Sequence, residues 1–245
     1  MENKKKSPVA TIILTIICIF WMYPIVLILI NSLKKEAAIT TSGVFSLPTS
    51  ETWNGIVNFV ASVTQMDFLK SFWYSLVISV MSVVLIMLCC SMAAWYIVRV
   101  NGKLSKMFYY LCVFSMVVPF QMVMFTGFVK GIPLEIEEAA LIDGCSPLQV
   151  FFKVLIPILK PTIISTAILE LMRVWNDYLL PTLVLDIKKY KTIPMAVQYF
   201  RGSFGHVQMG PMMASIMIDI IPIIIVYLVC QKYIIEGVVA GAVKG

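Results

Sequence analysis

An all-α, polytopic membrane fold is predicted by three features of the chain. Of its 245 residues, 60% are hydrophobic and 13% charged, with a mean hydropathy of +0.93, which excludes a water-soluble globular domain. The apolar residues gather into runs, most of about twenty residues or more, long enough to cross a bilayer as helices. The basic residues are scattered over the loops between those runs rather than clustered with aromatics. The net charge of +6 therefore speaks for membrane topology and against nucleic-acid binding.

Lys4-Lys5-Lys6 precede the first run, 9–33, which is too long for a signal-peptide core and lacks a small-residue cleavage site. It reads as a retained span with a cytoplasmic N-terminus, kinked at Pro24. Residues 34–67 are a polar loop with turn formers at Ser42-Gly43 and Leu47-Pro48-Thr49-Ser50. The second span, 69–98, carries Trp73-Tyr74 and Trp95-Tyr96 near its ends, read as interfacial belts. Arg99, Lys103 and Lys106 make the next loop the most basic for its length, hence cytoplasmic. A third run covers 107–128, a fourth 162–185 and a last 211–233, followed by a tail at 234–245. The loop 186–210 carries Lys188, Lys189, Lys191 and Arg201.

The fourth span holds Glu170, Arg173, Asn176 and Asp177, and the last holds Asp219. Ionisable groups at membrane depth are costly and normally face protein or a cavity. Glu170 and Arg173, spaced i, i+3, either pair to glue helices or line a path. Asp219 either faces a cavity or bonds a neighbouring helix. Metal and cofactor chemistry find no footing. His206 is the sole histidine, the six cysteines (18, 89, 90, 112, 145, 230) lack ligand spacing, and Gly102-Lys103 is no phosphate loop. The cysteines read as small buried hydrophobes in a reduced setting.

Between the third and fourth runs lies the stretch 133–161, which cannot be membrane-buried. Glu135, Glu137 and Glu138 follow Pro133, as suits the first turn of a helix. Gly144 is placed to stop that helix in the left-handed conformation. Ser146-Pro147-Leu148-Gln149 reads as a capping box that starts a second helix. An apolar stripe of Val150, Phe151, Val154 and Leu155 follows, with Pro157 and Pro161 expected to end it.

The spacing E-A-A, three residues, G, nine residues, then an apolar-x-apolar-P stop runs from Glu138 to Pro157, with Val154 and Ile156 at the apolar positions. It resembles the EAA loop of ABC-importer permeases. Trp175-Asn176-Asp177-Tyr178 and Pro119-Phe120-Gln121 resemble signatures of carbohydrate-importer permeases, and the tail from Gln231 resembles the end of maltose-type ones. The resemblance implies a type I permease fold in a bacterial-type plasma membrane. It implies as partners a second permease subunit, a cytoplasmic ATPase dimer, an external solute-binding protein and the lipid membrane.

ATP hydrolysis would belong to the separate ATPase, so the chain itself is not an enzyme. Glu138, Ala139, Ala140, Asp143, Gly144 and Pro157 would couple to that ATPase, and Gly241, Val243 and Lys244 in the tail would touch it. Glu170, Arg173, Trp175, Asn176, Asp177 and Asp219 are candidates to line the path. Rival readings are a permease for another solute and an ion-coupled carrier using Glu170, Arg173, Asp177 and Asp219. No inverted repeat supports the carrier.

The chain shows five apparent spans where the family has six. One crossing at 107–128 would put the basic loop and the EAA loop on opposite sides. Either the chain is a non-functional deletion variant, or residues 107–129 turn back, with Pro119 the expected bend.

Overall fold

The computed structural model of the chain describes residues 8–100, 102–114, 120–187, 189–200 and 207–242. Among these it is helical, with no strand beyond an isolated bridge between Lys34 and Trp53. The helices are α1 (Pro8–Ser32), α2 (Glu36–Thr41), α3 (Gly55–Gln65), α4 (Phe68–Arg99), α5 (Lys103–Phe114), α6 (Phe120–Lys130) and α7 (Leu134–Ile142). Then come α8 (Pro147–Gln149), a π-helical turn (Val150–Leu155), α9 (Ile156–Trp175), α10 (Leu179–Val184), α11 (Ile193–Val197) and α12 (Met209–Ala242). The chain divides into two compact units, residues 1–74 with 178–223, and 75–177 with 224–245.

Four helical stretches among the described residues are long and apolar enough to cross a membrane: Thr11–Ser32, Phe68–Arg99, Pro147–Trp175 and Met209–Tyr233. They match four of the five expected runs only in part. The run 107–128 is not one helix but α5 and α6, of 12 and 11 residues. At about 1.5 Å per residue each spans roughly 16–18 Å, half of a hydrocarbon core. Pro119 lies outside the described residues. The run 162–185 is also broken, because α9 stops at Trp175 and α10 begins at Leu179.

Pro157 and Pro161 do not end the second helix of the 133–161 stretch. The helix passes through both and continues to Trp175. The π-turn supplies the reason at Pro157. Ile156 N–H reaches back to the Phe151 carbonyl, five residues away, and the widened turn makes room for a proline ring with no N–H to donate. The helix likewise runs on through Pro24 in α1. The tail continues α12 as far as Ala242, and Val243 and Lys244 lie outside the described residues. The cysteines are not uniformly buried: Cys90 is, whereas Cys18 and Cys89 are exposed.

In the first unit the polar loop 34–67 folds into α2 and α3, and Asn58 ties it together. Its amide donates to the carbonyls of Ser32 and Lys34, each at 2.8 Å. Ser62 Oγ donates to the Pro211 carbonyl at 2.6 Å. Lys34 is buried, and its ammonium donates to Asn31 Oδ1, the Gly43 carbonyl and Ser46 Oγ at 3.2, 3.3 and 3.0 Å. Among the described residues no carboxylate pairs with it, and burial pushes its pKa down.

The second unit has a core in which Val83, Met87, Cys90 and Ala94, at helical three-four spacing on α4, meet Met122 and Phe125 of α6. Ile163, Ala167 and Leu171 of α9 pack against the same cluster. A neighbouring cluster joins Val129, Ile132, Phe151, Leu155 and Leu159. Together they hold α4, α6 and α9 as the frame beneath the 133–161 stretch.

Candidate functional site

α7 begins directly after Pro133, with Glu135 and Glu137 in its first turn. It ends at Gly144, whose φ is +86°. Gly144 N–H donates to the Leu141 carbonyl and Cys145 N–H to the Ala140 carbonyl, both at 3.0 Å. That pair of bonds is the Schellman stop, and it satisfies carbonyls that the helix end would otherwise leave open. Two residues later the chain restarts. Ser146 Oγ accepts from Gln149 N–H at 3.4 Å, and Gln149 Oε1 accepts from Ser146 N–H at 2.8 Å. The expected capping box is therefore closed in both directions.

The two helices of this elbow divide their side chains by face. Phe151 and Leu155 are buried against α4 and α6, and Val150 is buried beside them in the sequence. Glu138, Ala139, Asp143 and Gly144 are exposed, Ala140 is half-buried, and Pro157 is exposed. Ile142 is 86% exposed, with Leu141 and Leu148 also out in the open on either side of the turn. The apolar ridge thus stands at the tip of the elbow, flanked by Glu138 and Asp143.

A contact outside the expected site holds the elbow in place. Glu137, adjacent to Glu138, is buried and receives Trp95 Nε1 at 2.9 Å and Arg99 Nε at 2.8 Å. Arg99 also donates to the Ile132 carbonyl at 3.0 Å. Trp95 packs its ring on Phe151, centroids 5.6 Å apart. The last turns of α4 therefore grip both helices of the elbow. Trp95, read from sequence as an interfacial anchor, instead spends its N–H on a carboxylate. A signal was present: if the basic loop and the acids at 135–138 must share a side, Arg99 has opposite charges within reach.

Glu170 and Arg173 do pair. Arg173 Nε donates to Glu170 Oε1 and Oε2 at 3.0 and 2.9 Å, and Gln121 Nε2 on α6 donates to the same buried carboxylate. Gln121 Oε1 is buried without a hydrogen-bond partner among the described residues. Trp175 is buried, whereas Asn176 and Asp177 terminate α9. The Asn176 amide donates to the Met172 carbonyl at 2.7 Å, and Asp177 N–H to the Val174 carbonyl at 3.2 Å. Asp219 is half-buried in α12 and belongs to the other unit. Gly241 lies in the last turn of α12.

Residues 1–239 match the family described as binding-protein-dependent transport system inner membrane component. The chain belongs to that family. This permease is 31% identical over 262 residues to the probable starch degradation products transport system permease protein AmyC of Thermoanaerobacterium thermosulfurigenes, covering 94% of each chain. It is 30% identical over 270 residues to the multiple sugar-binding transport system permease protein MsmG of Streptococcus mutans, covering 95% of each. Both alignments are longer than the 245-residue permease itself, so each relative carries residues with no counterpart here. A chain from the crystal structure of a bacterial ABC transporter involved in alginate import superposes with a TM-score of 0.75 at 21% identity. The match covers 94% of this permease and 99% of that chain, which shows a shared fold.

Proposed function

We propose that this chain is one of two permease subunits of an ATP-driven carbohydrate importer, and that the α7–α8 elbow is where a cytoplasmic ATPase docks. The observation that carries the reading is the exposed ridge of Ile142, Leu141 and Leu148 on a turn rigidly capped from both sides. A bare apolar tip on a well-ordered, polar-flanked elbow suits a partner's groove better than water. Helix α8 to α9 supports the same view. Its 29 residues extend roughly 43 Å, beyond a hydrocarbon core of about 30 Å, so its first turns stand clear of the bilayer. Exposed Lys153 lies within that protruding part. The carbohydrate assignment draws on the sugar-transport names of AmyC and MsmG.

In this reading the chain forms half of the path in a bacterial plasma membrane, beside a second permease, an ATPase dimer and an external solute-binding protein. Closure of the ATPases moves the elbow and rocks the helices between inward- and outward-open states. Glu138, Ala139, Ala140, Asp143, Gly144 and Pro157 make or shape the docking surface, with the tail at Gly241–Lys244 as a second contact. Glu170, held by both Arg173 and Gln121, serves as a fixed joint between α6 and α9 rather than as a mobile path group. Trp175, Asn176, Asp177 and Asp219 are the remaining candidates for the path. The test is co-purification of the ATPase with tagged Ile142→Asp. A charge at the tip should abolish retention while membrane insertion is kept, and undiminished retention together with normal uptake would sink the docking assignment.

A further inference from the structure

Beside the last turn of α4 lies a cleft of about 250 Å³, within the second unit and separate from the elbow tip. Lys106, Tyr109 and Tyr110 of α5, Lys130 at the end of α6, and Val98 and Val100 line it. Among the described residues neither lysine has a carboxylate partner. Of the acids in the second unit, Glu137 is taken by Arg99 and Glu170 by Arg173. Lys130 Nζ rests over the Tyr109 ring, 5.6 Å from its centroid, which positions the ammonium without neutralising it. Charge, aromatic and aliphatic surfaces thus face one opening.

The location adds a second constraint. α4 has 32 residues and extends roughly 48 Å, beyond a hydrocarbon core of about 30 Å, and the charge of Arg99 in its last turn suits that end to the headgroup layer. Lys103 and Lys106 follow at that level. We infer that this cleft is a binding site for the headgroup of an anionic phospholipid, the phosphate meeting Lys106 and Lys130 and the glycerol end lying on Val98 and Val100. The volume falls below the roughly 300–1,000 Å³ of sites that enclose a whole small molecule, which fits a headgroup entering tip first. Basic clefts at the membrane surface are a recurrent setting for such headgroups. Tyrosines at the rim belong to the same interfacial layer.

The test uses the full chain, purified in neutral detergent and offered phosphatidylglycerol or phosphatidylcholine of matched acyl chains, with bound lipid read by native mass spectrometry. The wild type should retain phosphatidylglycerol preferentially. Lys106→Gln/Lys130→Gln should lose that preference by on the order of tenfold. Lys106→Arg/Lys130→Arg should keep it, which controls for folding. Lys35→Gln/Lys70→Gln, with the same loss of charge elsewhere, should also keep it. Equal retention of both lipids by the wild type, or equal loss in the Lys35/Lys70 control, would overturn the site. Displacement of the lipid by millimolar inorganic phosphate would overturn the lipid assignment in favour of a free-anion site.

Discussion

A Cβ on Gly144 would meet nothing within 4 Å, so its substitution costs conformation and not space. Gly144→Ala should lower stability by about 1–2 kcal/mol, the usual penalty for an L-residue held left-handed, and Gly144→Val by more; thermal unfolding in detergent reads both. Gly210 is the opposite case. Its φ is ordinary, but an added Cβ would stand 2.8 Å from Asn58 Nδ2. Gly210→Ala should push that amide off the Ser32 and Lys34 carbonyls, at a cost of about 1–3 kcal/mol, read in the same assay. Lys34 makes a pH prediction. Its folded pKa lies below its ordinary value, so between the two the unfolded chain holds the proton and the native one does not. Stability relative to Lys34→Met should therefore rise with pH in that alkaline window, and the difference should level off below it.

Among the elements, the grip of α4 on the elbow offers the sharpest test. Arg99→Leu or Glu137→Leu alone leaves a charge without its partner, at a cost of up to about 3–5 kcal/mol where burial is complete and less here because Arg99 is partly exposed. Arg99→Leu/Glu137→Leu should regain most of that stability, yet solute-stimulated ATP hydrolysis in the assembly should stay low if α4 must follow the elbow. Recovery of both would reduce the pair to a structural tie. The elbow itself was legible because its signals are local: a glycine stop and a capping box each need only three or four consecutive residues. Pro157 was misleading for the same reason, since a proline rule looks one turn back and cannot see that a π-turn has already made room. Glu137 and Arg99 are 38 positions apart, and only the fold joins them.

For the whole molecule, the decisive region is 103–130. Lys130 at the end of α6 lies over Tyr109 in α5, and Arg99 ahead of α5 touches Ile132 and Glu137 beyond α6. α5 and α6 thus meet at Lys130 and Tyr109, and residues 115–119 between them, where the sequence suggested either a crossing or a turn, lie outside the described residues. An impermeant thiol reagent applied to a chain with cysteines only at Cys145 and an introduced Gly102→Cys should treat both alike, sparing both from outside and labelling both after permeabilisation. Labelling of Cys145 alone from outside would refute the shared side. The helix from Pro147 to Trp175 carries a mechanical consequence. Proline rings at 157 and 161 and the π-turn before them concentrate its compliance near one point, with roughly 15 Å of rod on the elbow side and roughly 27 Å on the other. Such a rod has a joint between unequal arms, so the elbow arm can tilt to follow a docked partner while the longer arm stays seated against α4 and α6.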